Sequence, residues 1–154
     1  APNGQPVAVQ ETLRVAATTV TIEIWDDGQF DGDTISLSLN GEWITQYTEL
    51  RKFKRTFRAE LRPGTNLLVL TAHNLGHIPP NTAALRVYDG TRYQSLQLHA
   101  DLNTSGGLQL IAPDPRLTTE RYCIFKLTFK SLKDVLTLVT ENALVSKSCM
   151  DLIP

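Results

Sequence analysis

Residues 26–33, Asp-Asp-Gly-Gln-Phe-Asp-Gly-Asp, place four carboxylates and two glycines in eight positions, between two runs that alternate like strands. Calcium takes about six to eight oxygen ligands, usually several carboxylates supplemented by backbone carbonyls on a tight loop. Asp26, Asp27, Asp31 and Asp33, with Gly28 and Gly32, could supply such a set. The spacing is not that of an EF-hand, which needs oxygens at alternate positions, a glycine at the sixth and a distant Glu. An inter-strand turn explains the same residues, because Asp side chains bond their own backbone and Gly takes positive φ. Both readings stand at the level of sequence.

The other chemistry-bearing residues are sparser. His73-Asn74-Leu75-Gly76-His77 has the His-x3-His spacing that chelates zinc on a helix, but Gly76 and Pro79-Pro80 argue against a helix, and a third ligand such as His99 would have to come from elsewhere. No Gly-x-Ser-x-Gly elbow is present, and neither Cys123 nor Cys149 sits in an activating motif, so nucleophilic catalysis has no support. Trp25, Trp43, Tyr47 and Tyr93 are the available sugar-stacking surfaces. If Val20, Ile22 and Ile24 face a core, Trp25 faces outward beside the acidic loop, as a binding residue would or as a tryptophan covering the rim of a sandwich would. Arg51-Lys52-Phe53-Lys54-Arg55 is a local basic run, readable as a polyanion contact or as the solvated face of an edge strand, where cations discourage edge-to-edge pairing. Asn103-Thr104-Ser105 is a formal glycosylation acceptor, meaningful only in a secreted protein of a glycosylating source.

The elements that would position these residues are strands. Period-two alternation marks Val20–Trp25 and Ile35–Leu39, and Asn40-Gly41 then signals a tight hairpin returning through Glu42–Thr45. A further run puts Phe53, Arg55, Phe57, Ala59 and Leu61 on one face, with Arg55 placing that end at the rim. Pro63-Gly64-Thr65-Asn66 turns the chain into Leu67–Ala72, apolar on both faces as a central strand is. Strands at Ala83–Tyr88, Arg92–Leu98 and Leu108–Ile111 follow. The fold class expected is all-β, an antiparallel Ig-like or jelly-roll-type β-sandwich over residues 19–112. Residues 1–18 read as a flexible segment or a first edge strand. Residues 113–154 read as an appendage, with a strand at Cys123–Phe129 and then a helix on the stripe Leu132, Val135, Leu136, Val139 and Ala143.

Composition narrows the partners. Lys+Arg 15 against Asp+Glu 16 leaves a net charge of -1, without the basic excess a nucleic-acid or anionic-membrane partner usually brings, and no apolar run is long enough to span a bilayer. The opening Ala1-Pro2-Asn3-Gly4-Gln5-Pro6 reads as the flexible start of a mature or excised segment. Cys123 and Cys149 could form one disulfide in an oxidising compartment or stay as two thiols in a reducing one.

Three strings in order, Ile24–Leu37 with its Asp31-Gly32-Asp33, Leu39-Asn40-Gly41, and Ala72-His73-Asn74-Leu75-Gly76 with Pro79-Pro80-Asn81-Thr82-Ala83, resemble a small domain found in exported proteins of Bacteroidetes-type bacteria. The resemblance covers about residues 19–111 and implies a β-sandwich in an exported, often multidomain protein, secreted, periplasmic or at the cell surface, with no settled activity. It implies turns gathered at one end of the sandwich, where Asn74, Asn81 and Thr82 would bind carboxylates and backbone groups across the loops. The expectation is a non-catalytic binding or structural module of the cell envelope. Its partners would be other domains of its parent protein or a cell-surface glycan, with Trp25, Asn74 and Asn81 as binding residues. The alternative is a calcium-dependent carbohydrate-binding module, and a hydrolase is a third.

Overall fold

The computed structural model describes residues 1–26, 28, 32–75 and 81–114. The strand and helix expected over 123–143, Cys123, Cys149, His77, Asp27 and Asp31 lie outside the described residues. Within Ala1–Pro113, which forms one unit, the chain is all-β: β1 (Val7–Arg14), β2 (Thr19–Trp25), β3 (Thr34–Leu39), β4 (Glu42–Glu49), β5 (Arg55–Glu60), β6 (Gly64–Ala72), β7 (Asn81–Tyr88), β8 (Tyr93–Ala100) and β9 (Ser105–Ala112). They form two sheets, in the orders β1-β9-β6-β3-β4 and β5-β2-β7-β8. Ile22, Ile24, Ile35, Leu37, Leu68, Leu70, Leu85, Leu98, Leu108 and Leu110 are all fully buried in the core between them, giving the sandwich its main driving force.

The turn chemistry works as the sequence implies. Asn40 and Gly41 take φ of 52° and 88°, so their twist matches the strands they join. The return strand is longer than Glu42–Thr45 because β4 bulges past the disruption and continues to Glu49. Ser36 alone stands opposite Gln46 and Tyr47, and Tyr47 takes the left-handed conformation at φ 48°. The β5 run starts at Arg55, with Ala59 and Leu61 buried, Phe57 packed partly against the core, and Phe53 exposed ahead of the strand.

One pairing departs from the antiparallel expectation: β1 runs parallel to β9, with Val7 beside Ser105 and Arg14 beside Ile111. Parallel neighbours need a long crossover, and here the rest of the sandwich lies between them in sequence. Gln10 is the extra residue of a bulge between Val9 and Glu11. The bulge reverses which side of β1 faces inward, so Val9 is 49% exposed while Leu13 packs on the core.

Candidate functional site

The acidic loop begins and ends in bonds to its own chain. The buried Asp26 accepts the Gly28 amide on Oδ1 at 2.8 Å, and its own N–H donates to the Arg51 carbonyl. At the other end Asn74 clamps the entry to β3: its Oδ1 accepts the Thr34 N–H at 2.7 Å and its Nδ2 donates to the Gly32 carbonyl at 2.9 Å. Gly32 holds φ at 87°, a value L side chains avoid. Asp33 is buried, and its carbonyl accepts the Leu50 N–H. Among the described residues no group of three or more His, Cys, Asp or Glu side chains gathers as a metal site. Asn81 is fully buried on the core side of β7, and neither of its amide atoms has a hydrogen-bond partner among the described residues.

Trp25 lies on the outer face of the second sheet, where the alternation of β2 puts it. The Lys54 ammonium sits 4.6 Å from its ring centroid and 3.4 Å from Glu23, which Arg86 also meets at 2.7 Å. Arg86 in turn lies over Tyr93, 4.2 Å from the centroid, and Tyr93 stacks on Tyr88 at 4.5 Å. The register brings Trp25 and Tyr93 onto one face, but the chain's own cations and rings already engage both. Tyr47 is on the other sheet, stacked on His73 at 4.2 Å.

His73 contacts a nucleophile type: its Nε2 is 2.6 Å from Ser36 Oγ. Ser36 is 1% exposed and its Oγ accepts the Tyr47 N–H at 3.1 Å. A hydroxyl sealed beneath a bulge and accepting its amide stabilises the left-handed Tyr47; it is not presented to a substrate. His99 belongs to the other sheet, with its Nδ1 3.0 Å from Thr82 Oγ1, so it does not join His73 in a zinc site.

A second acidic turn closes the opposite end. Asp89 is 1% exposed; its Oδ1 accepts the Thr91 hydroxyl and the Thr91 and Arg92 amides, and its Oδ2 accepts the Ala16 amide. Burial pushes this carboxyl's pKa up, but the Thr91 hydroxyl and the Arg92, Thr91 and Ala16 amides outweigh it and leave it far below the usual carboxylate range.

The two sides of the sandwich differ. On one, Gln10 pairs with the β8 backbone in both directions, donating to the His99 carbonyl at 2.7 Å and accepting its N–H at 2.9 Å. Gln94 and Gln5 add bonds to the Arg14 and Leu102 carbonyls. On the other side β4 and β5 are edge strands of different sheets, and a cleft of about 270 Å³ opens between them, lined by Glu42, Trp43, Ile44, Arg58, Glu60 and Arg62 among others. Sequence reading named Trp43 as an aromatic surface and Arg51–Arg55 as a basic run, without a reason to place them along one side; the strand order supplies it.

Compared with known proteins, the chain matches no family model, no curated protein and no solved structure. Among the described residues no helix is long and apolar enough to cross a membrane.

Proposed function

We propose that this chain is a non-catalytic binding module of an exported bacterial cell-envelope protein, and that it binds along its open β4/β5 side. The observation that supports this is the contrast between the two sides. The β1/β8 side spends its polar groups on itself, whereas the β4/β5 side keeps a cleft lined by both apolar residues (Leu39, Trp43, Ile44, Ala59) and charged ones (Glu42, Arg58, Glu60, Arg62). Clefts of mixed lining with a few convergent polar groups are where small ligands settle. The Ser36/His73 contact gives a hydrolase no foothold, because the hydroxyl is buried and already accepts the Tyr47 amide. The test is a screen of the 154-residue chain against soluble envelope polysaccharides and the parent protein's neighbouring domains. Binding that weakens at least tenfold in Trp43→Ala, and is untouched by Trp25→Ala, supports the reading; binding carried by Trp25 and not by Trp43 overturns it.

The calcium-dependent alternative keeps one specific observation: Asp26 and Asp33 are buried, and the Asn81 amide is buried without a described partner. A ligand that binds only the native state raises stability by mass action. A rise in Tm with millimolar calcium, reversed by a chelator and lost in Asp26→Asn, would favour it over a loop closed by its own bonds.

A further inference from the structure

The charges of this chain are segregated. Of its 15 Lys and Arg residues, six (Arg51, Lys52, Lys54, Arg55, Arg58 and Arg62) fall within twelve positions that hold one acid, Glu60, so the stretch carries +5 and the remainder of the chain -6. The fold lays that stretch along the free edge of the second sheet, since β5 pairs only with β2. Three of the cations are engaged: Arg51 with Glu49 at 2.6 Å, Lys54 with Glu23 at 3.4 Å and Arg58 with Glu60 at 3.8 Å, the last between two exposed side chains. Lys52, Arg55 and Arg62 form no ion pair with a described residue. Arg58 and Arg62 also line the cleft, where they face Glu42 and Glu60.

Resting on the binding reading above, we infer that the cleft takes one acidic sugar residue and that the β5 edge holds the acidic polysaccharide chain to which it belongs. Guanidinium groups match carboxylate and sulfate with paired N–H donors. The Glu42 and Glu60 carboxylates at the cleft accept bonds from hydroxyls, which a polyphosphate or DNA backbone does not offer along its length. A bare polyphosphate or nucleic acid therefore fits the site less well than a polyhydroxylated polymer with one acidic group per residue. The volume, just below the roughly 300–1,000 Å³ of ligand pockets, suits a single ring, so the rest of a polymer must lie outside. There the exposed Lys52 and Arg55 add positive charge ahead of and at the start of β5. Edge cations also discourage strand pairing between copies, and the experiment separates that role from binding.

The 154-residue chain is titrated calorimetrically with polygalacturonate, dextran sulfate, dextran and polyphosphate of matched length, at two salt concentrations. Expected is binding to polygalacturonate at least tenfold tighter than to dextran and to polyphosphate, weakening as salt rises, with dextran sulfate, more densely charged and poorer in free hydroxyls, as a second charge control. Free galacturonate should compete and glucose should not. Arg58→Gln/Arg62→Gln should lose at least tenfold in affinity at unchanged Tm, while the charge-matched pair on the closed side, Arg14→Gln/Arg92→Gln, should bind as the parent does. Polyphosphate or dextran sulfate binding as tightly as polygalacturonate, or equal loss in the two double variants, overturns the inference in favour of unspecific charge attraction. Tight binding of dextran lost in Trp43→Ala overturns the acidic ligand while leaving the binding module standing. No binding of any of the four, with aggregation in Arg58→Gln/Arg62→Gln, overturns it in favour of edge protection.

Discussion

The two sides of this sandwich solve the same problem in opposite ways. Wherever a sheet ends, a strand presents unpaired N–H and C=O groups. On the β1/β8 side those groups are met by side chains: Gln10 imitates a strand by giving and taking one bond each with His99, and Gln94 reaches the Arg14 carbonyl. Gly106 makes that approach possible, because a Cβ there would stand 2.4 Å from the His99 carbonyl oxygen. On the β4/β5 side no amide crosses between the two edge strands among the described residues, and charge takes its place. The difference teaches where open space lies: a side closed by directional bonds leaves little of it, and a side kept apart by exposed charge retains a cleft.

The comparison can be broken most sharply at Gly106. Gly106→Ala should cost about 3 kcal/mol, since the obstructing atom is backbone and β8 must move; urea denaturation measures it, and a loss below 1 kcal/mol would mean the closed side yields easily.

Asp89, which ties the segment after β1 to the β7/β8 turn, comes next. Asp89→Asn replaces one acceptor oxygen with a donor facing the Ala16 amide or its neighbours, and should cost about 2 kcal/mol at pH 7. The sign with pH follows from the depressed pKa of Asp89. The stabilisation is complete above the unfolded value near 4 and is lost as pH falls below it, so the gap between parent and Asp89→Asn should narrow from pH 4 to pH 3. A gap independent of pH would show that the carboxylate's charge is not what matters.

Gln10→Ala removes two exposed side-chain bonds and should cost about 1 kcal/mol, with faster amide exchange at His99 as the local signature. The open side should respond least in stability: Arg62→Gln should stay within about 0.5 kcal/mol, so any effect it has belongs to binding.

Much of the fold is legible in the order of residues. The alternation around Ile22, Ile24, Ile35 and Leu37 and the Asn40-Gly41 dipeptide act locally, through side-chain period and φ preference, and the structure follows them. Asn74 as a brace at the acidic loop is suggested by the resemblance and not by local preference, since its partners Thr34 and Gly32 lie 40 and 42 residues away. What was not legible depends on a partner distant in sequence. The Gln10 bulge inverts the inward face of β1, so Val9 and Leu13, four residues apart on an apparently single face, end on opposite sides. Ser36 and His73 are 37 residues apart and meet only because β3 and β6 are neighbours. The cleft needs the two edge strands to belong to different sheets. By itself, then, the sequence determined which segments of residues 19–112 are strands, where they turn and where positive charge is concentrated, because these rest on bonds and dihedrals within a few residues. Only the tertiary structure decided that one side is sealed by glutamine amides and the other left as a charged cleft, because strand order places groups together that the chain keeps far apart.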